Sequence, residues 1–264
     1  MLRFSTLLLL LTLSSLSRAE LVIEITRGAD DALPIAVVPF SGTQASDNIG
    51  SIIKADLERS GRFRALPDNQ LPAQPDSSTG LNYAQWQSIG TNHLVVGSSK
   101  ATADGRYEIR FELLSLDRKT RLLGEALTVP ASQWRDAAHF AADRIFETIT
   151  GARGIFATKI LYVNQYPHNG KVRYRLELAD ADGFRPLSIL DSPEPILSPG
   201  WSPDGRKVAY VSFESGRPAI YTQNIATQQR TRIASFSGLN GAPTWSPDGG
   251  RMALTLSRDG NPEI

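Results

Sequence analysis

The pentapeptide Trp201-Ser202-Pro203-Asp204-Gly205 returns as Trp245-Ser246-Pro247-Asp248-Gly249 forty-four positions later. The correspondence continues without a gap, pairing Ala209 with Ala253, Gly216 with Gly260, Pro218 with Pro262 and Ile220 with Ile264. A repeat of this period belongs to a propeller blade or a solenoid unit, each copy stacking on its neighbours to bury its apolar face.

The chemistry of the motif selects between them. Ser-Pro-Asp-Gly fits a type I turn, with proline fixing φ at the second position and glycine taking the positive φ at the fourth. That turn followed by glycine in αL is a common hairpin loop. Lys207 to Val211 and Arg251 to Thr255 then read as short, mostly apolar strands. A second turn follows at Glu214-Ser215-Gly216 or Arg258-Asp259-Gly260, and a further strand at Ile220-Tyr221. Strand and turn alternating in about 44 residues, without helix-forming runs, predict four-stranded blades.

A more worn copy lies upstream. Lys159 to Val163 corresponds to Lys207 to Val211, Tyr174 to Leu178 stands where Ile220-Tyr221 stands, and the strands end at Asp180-Ala181-Asp182-Gly183. Asp180 and Asp182 could open a calcium loop, but the remaining ligands and the closing glutamate are missing, so a hairpin turn is the better reading.

At the other end, Arg3, the apolar stretch around Leu7 to Leu11 and Ser17-Arg18-Ala19 make residues 1–19 a secretory signal with cleavage expected after Ala19. This stretch is too short for a permanent anchor. The chain has no cysteine, which excludes disulfides, thiol catalysis and a lipidated N-terminal cysteine. A soluble exported product is therefore expected. Removing Arg3 and Arg18 from 28 basic and 27 acidic residues leaves 26 against 27, with no Lys/Arg block, which argues against nucleic acid or an anionic membrane as the main partner. Residues 20–33 follow as an apolar, β-prone run from Glu20, Leu21, Val22, Ile23, Glu24 and Ile25 into a polar linker. Such a segment is either an edge strand or a free arm able to add a strand to a partner.

Residues 34–152 read as an α/β domain. Ile35 to Phe40 is a buried-type strand; a helix is expected over Ala45 to Ser60, with Ile49, Ile52, Ile53 and Leu57 on one stripe and Gly61 as its cap. Phe63 to Leu66 is a short strand, Pro67 to Gly80 a loop and Tyr83 to Ile89 a short helix. Strands are expected at His93 to Ser98, Tyr107 to Leu116 and Leu122 to Val129, the second entered through an Asp104-Gly105 turn. A last helix, Gln133 to Thr150, turns Trp134, Ala138, Ala141, Ile145 and Ile149 inward. The fold class is thus an α+β N-terminal domain followed by all-β blades over 157–264.

Catalytic patterns fail on inspection. Ser51-Ile52-Ile53-Lys54 and Ser46-Asp47-Asn48 match two motifs of penicillin-recognising enzymes, but in the wrong order, too close together, and in a helix whose isoleucines are needed for packing. No nucleophile elbow, His-Glu-x-x-His, P-loop or dinucleotide fingerprint occurs. His93, His139 and His168 share no ligand-like spacing and read as ordinary core or surface residues. Trp201 and Trp245 could stack on a ligand, yet their equivalent places in the repeat mark them as blade core. No cofactor or metal is implied.

Four blocks together resemble the TolB family, the periplasmic propeller proteins of the Tol-Pal system: Pro34 to Phe40, Asp56 to Phe63, Ala209 to Glu214, and Asn240-Gly241-Ala242-Pro243 leading into Trp245 to Gly249. The resemblance implies a non-enzymatic periplasmic adaptor, monomeric at full length. It implies that Glu20 to about Asp31 docks on TolA, that the loop Leu239 to Pro243 belongs to a face binding the lipoprotein Pal, and that both serve outer-membrane integrity and cell division. Leu239 stands where some relatives carry histidine. Six blades of about 44 residues need roughly 260 residues, so this chain reads as part of a longer protein, ending inside an incomplete six-bladed propeller. The alternative reading is the propeller of an exported peptidase whose catalytic domain lies elsewhere.

Overall fold

A computed structural model describes residues 32–86 and 88–264. The expected leader, residues 1–19, and the arm residues Glu20 to Asp31 lie outside the described residues.

The first unit is a six-stranded sheet in the order β3-β1-β4-β5-β6, with β2 beside β4. Its strands are β1 (Leu33–Val37), β2 (Ser41–Gly42), β3 (Phe63–Ala65), β4 (His93–Ala101), β5 (Tyr107–Ser115) and β6 (Thr120–Val129). β1 runs parallel to β3 and β4, while β4, β5 and β6 are antiparallel. Ile35 and Val37 join the core on one face, Ala36 and Val38 the core on the other. Both faces are covered, which is why the run is continuously apolar and does not alternate. Leu33 is already in the sheet, opposite Phe63, one residue ahead of the expected boundary at 34.

Helix α1 (Ile49–Arg59) lays Ile49, Ile53 and Leu57 on the first face. It starts four residues later than the apolar spacing predicts, because Asn48 caps it. Asn48 Oδ1 accepts from the Gly50 N–H at 2.9 Å and the Phe40 N–H at 2.9 Å, and its Nδ2 donates to Phe40 O at 2.8 Å. One side chain therefore both begins the helix and fixes the segment after β1. Gly61 follows the helix with φ +69°, as expected of its place. Helix α2 is a single turn, Tyr83–Trp86, shorter than expected, and its Trp86 fills the second face. Helix α3 (Trp134–Thr150) packs Trp134, Ala138, Ala141 and Ile145 on the first face and ends at Gly151 in the left-handed region.

The second unit is all β. Strands β7 (Lys159–His168), β8 (Lys171–Asp180) and β9 (Leu187–Ser192) form a three-stranded meander. A four-stranded blade follows: β10 (Ile196–Trp201), β11 (Lys207–Ser212), β12 (Ala219–Asn224) and β13 (Arg230–Ala234). Strands β14 (Asn240–Trp245) and β15 (Met252–Leu256) make the last pair. The repeat is visible at atomic detail. Gly205 and Gly249 have φ +68° and +71°, and each closes its turn on the carbonyl of Ser202 or Ser246. Asp204 Oδ1 accepts from the Arg206 N–H and Asp248 Oδ1 from the Gly250 N–H, both at 3.0 Å. The register slips between Leu197 and Gly200 and again between Gly241 and Thr244, with Ser198 at φ +49° and Ala242 at φ +46°. The two tryptophan-containing copies thus open on the same bulge, whereas β7 and β8 pair without one.

Replacing Asn48 with alanine removes the cap, leaves the Phe40 N–H without its partner and leaves the Phe40 carbonyl with Gln44 alone. Urea denaturation is expected to show a loss of about 2 kcal/mol or more at unchanged m-value; an unchanged midpoint would contradict the double role of this side chain.

Candidate protein-binding face and the joint between the two units

Helix α3 carries Arg135, His139 and Asp143 four residues apart, a polar stripe beside the apolar one. Arg135 and His139 are nevertheless buried, because the β8–β9 turn closes over them. Arg135 is the bridge: its Nη1 donates to Asp47 at 2.9 Å, its Nη2 donates to Asp182, and its guanidinium lies 3.8 Å over the Phe184 ring. One residue thus holds the start of α1 and the turn of the first meander together. His139 Nδ1 meets Asp56 Oδ2 at 2.6 Å, and the other oxygen of Asp56 accepts from Arg59 at 2.8 Å. One turn on, the Asp143 carboxylate accepts from the N–H groups of Phe156 (2.7 Å) and Ala157 (3.1 Å), tying down the connection to β7.

A second layer rests on Asp180. Arg185 donates to both its oxygens at 2.8 and 2.9 Å and reaches Asp136 on α3 at 2.6 Å, while Lys159 donates to Asp180 and to Asp136. Burial works to raise the carboxyls of Asp180 and Asp136, but the hydrogen bonds and charges of Arg185 and Lys159 outweigh it and hold both below their ordinary value. Arg185 is in turn pushed up by Asp180 and then by Asp136.

The turn at Asp180 to Gly183 is a hairpin turn, with Gly183 at φ +83°. Its carboxylates have a further task that spacing did not reveal. His139, expected to be an ordinary residue, is brought against them: Asp56, His139 and Asp182 offer atoms within 4.8 Å of one another. Sequence reasoning missed this site because its members come from α1, α3 and the β8–β9 turn. The available signal was the polar i, i+4, i+8 stripe running beside the apolar one on α3. A cleft of about 390 Å³ opens beside the joint, lined by Ser51, Ile52, Arg59, Arg135, Asp182 and Phe184 among others. Ser51 and Lys54 form no nucleophile–base pair. Lys54 donates instead to Leu66 O (3.0 Å) and Asp68 (2.8 Å).

The stretch Leu239 to Pro243, expected as a loop, is mostly strand. Only Leu239 precedes β14, and Asn240 and Pro243 are buried. Asn240 accepts from the Phe236 N–H at 2.9 Å and donates to Phe236 O at 2.8 Å, so it shapes the chain before the strand and offers no surface contact. The bulge keeps Ala242 exposed, and Leu239 is 42% exposed beside it. The repeated residues Trp201, Pro203, Asp204, Gly205, Trp245, Pro247, Asp248 and Gly249 form the two matching strand ends and turns of the blades. Trp201 packs on the cluster shared by the first two sheets, and Trp245 is half-buried.

A sheet-and-helix unit bolted to propeller blades defines a class of two-domain propeller proteins. Residues 21–122 match the TolB amino-terminal domain and residues 146–264 the TolB beta propeller domain. The chain belongs to the TolB family. It is 51% identical over 246 residues to the Tol-Pal system protein TolB of Alcanivorax borkumensis, covering 92% of this chain and 56% of that protein. The corresponding protein of Xanthomonas oryzae pv. oryzae is 47% identical over 239 residues, covering 89% and 54%. The crystal structure of TolB from Acinetobacter baumannii superposes with a TM-score of 0.82 at 44% identity, over 91% of this chain and 59% of that one. The chain spans about half the length of the curated relatives it matches. Among the described residues no helix is long and apolar enough to cross a membrane.

Because Asp180 and Asp136 are held below their ordinary value, their contribution to stability is present above about pH 4 and fades as the pH falls through their folded values. Arg185→Ala is therefore expected to be less stable than the parent at pH 7, with the gap in urea midpoint narrowing steadily below about pH 4. A gap of the same size at pH 2.5 would contradict the role assigned to the pair.

Proposed function

We propose that this chain is part of a periplasmic, non-catalytic adaptor of the Tol-Pal system. In this reading the arm Glu20 to Asp31 adds to TolA and the propeller face around Leu239 binds Pal, in support of outer-membrane integrity and division. The observation that carries it is the joint match of both units to the TolB family, in one order on one chain. The geometry supports a binding role in detail. The charged groups of the joint are spent on one another, while exposed Leu239, whose N–H donates to Ser257 Oγ at 2.7 Å, and Ala242 on the bulge flank the buried Asn240, which fixes the chain before the strand. An exposed leucine on a fixed backbone can serve as an anchor at little entropic cost. Asn240 and Pro243 support that face from inside and do not touch the partner.

Two captures test this on the full-length protein. Deleting residues 20–31 is expected to abolish retention by immobilised TolA while leaving capture by Pal intact; equal TolA retention would reject the assignment of the arm. Leu239→Asp is expected to weaken Pal capture about tenfold or more with TolA retention unchanged. Undiminished Pal affinity would remove Leu239 from the contact.

A further inference from the structure

The hairpin of β7 and β8 is longer than its counterpart in the next sheet. Lys159 stands where Lys207 stands, and the two places share a bond: the Ala181 N–H donates to Thr158 O at 3.1 Å, and the Ile225 N–H to Arg206 O at 3.0 Å. The pair of Asn164 and Arg175 therefore matches Ser212 and Ala219, where the pairing of β11 and β12 ends. Past that point β7 continues through Gln165, Tyr166, Pro167 and His168, still paired with β8, before the chain turns at Asn169-Gly170. At about 3.3 Å per residue the ribbon runs on for about 13 Å. Strand β9 leaves it at Ser192, opposite Tyr174, so the tip is two-stranded.

A two-stranded ribbon in water is marginal by itself, and this one is braced. Asp191 on β9 accepts from the Tyr166 hydroxyl at 2.6 Å and from the Nε atoms of Arg173 and Arg175, both at 2.8 Å. The Arg175 guanidinium also lies 4.0 Å over the Tyr166 ring. One carboxylate thus pins both strands of the ribbon to the body of the sheet. Beyond the brace Pro167, His168, Lys171 and Val172 are exposed, Val172 to 46%. Residues 164–175 contain Lys171, Arg173 and Arg175 and no acidic residue, so three bases stand against the one carboxylate of Asp191. The repeat also gives the direction of the tip. The Phe213 N–H after β11 donates to Pro195 O ahead of β10, and the Ser257 N–H after β15 donates to Leu239 O ahead of β14, both at 3.2 Å. The end of β7 answers to the end of β11, so the hairpin leaves its sheet on the face that carries Leu239.

We infer that the β7–β8 hairpin is a second contact for the partner held at Leu239, reaching along its side to an acidic surface with an apolar spot for Val172. The inference rests on the reading that Pal binds that face, and deepens it. A braced arm meets its partner already ordered, so little entropy is lost on contact. Its excess positive charge acts on the rate of association with an acidic surface. A solvated turn needs neither the extra length nor the brace.

The test uses the full-length protein and Pal, with binding followed by surface plasmon resonance at low and high salt. Lys171→Glu, at an exposed position outside the brace, is expected to slow association about threefold to tenfold at low salt and far less at high salt, with the thermal midpoint unchanged. Val172→Asp is expected to speed dissociation about threefold or more. Hydrogen exchange of the amides of 166–173 is expected to slow when Pal binds, together with that of 236–243. Asp191→Asn, which loosens the brace and leaves the tip residues in place, is expected to speed exchange across 166–173 in the free protein and to weaken Pal binding. A parent that does not bind Pal, or Pal binding indifferent to Leu239→Asp, would remove the face itself and the arm with it. Pal binding that is weakened by Leu239→Asp but unchanged in Lys171→Glu and Val172→Asp, without protection at 166–173, would overturn the arm alone. Retention of the parent on phosphatidylglycerol vesicles that Lys171→Glu abolishes, with Pal association unchanged, would assign the arm to a membrane surface and overturn the inference as well.

Discussion

The buried guanidinium of Arg135 is the interaction on which the arrangement depends. It is shared between Asp47, which precedes α1, and Asp182, which belongs to the first meander, and it is stacked on Phe184. A buried base of this kind is a poor source of net stability, since desolvation offsets much of the attraction. It is a strong source of specificity: this relation between the units gives each terminal nitrogen of the guanidinium its own carboxylate, and any slip leaves a charge buried without a partner. Apolar surfaces alone would tolerate sliding. The neighbouring pairs of Arg185 and Lys159 with Asp180 and Asp136 add direction to the same contact.

Helix α3 is the element that makes this possible. Its apolar stripe belongs to the first unit, and its polar stripe is offered to the second. Asp143 extends that stripe to hold the connecting segment through two backbone N–H groups. A Cβ at Gly154 would lie 2.5 Å from the Asp143 Cα, so the connection passes too close to the helix for any larger residue. The chain therefore leaves α3 and enters β7 along a path that is fixed at both ends.

Much of this was legible in the sequence. The 44-residue repeat placed β11, β12 and β15 and the turns at Gly205 and Gly249, but not β10 or β14, whose bulges at Ser198 and Ala242 cannot be read from residues that are neither glycine nor asparagine. The alternation within Tyr107 to Leu113 and the stripe of α3 found their elements because burial on one face imposes its period directly. The start of α1 was missed because Asn48 sets it through hydrogen bonds to Phe40 in the segment after β1, and such partners cannot be read from helix spacing. The loop at Leu239 to Pro243 was implied by the family resemblance alone, yet the sheet absorbs all of it but Leu239 through a bulge. The joint was invisible for a simpler reason. Arg135, His139, Asp56 and Asp182 are each unremarkable in their own segment, and only the packing of two units makes them one site.

The most direct test of this account is a double-mutant cycle on Arg135 and Asp182, using Arg135→Met and Asp182→Asn alone and together, with stability read by urea denaturation. If the pair is the specific clasp between the units, the double variant is expected to be less destabilised than the sum of the singles, by about 1 kcal/mol or more. Strict additivity would mean that the two side chains are neighbours without being partners, and the joint would have to be explained by its apolar contacts alone.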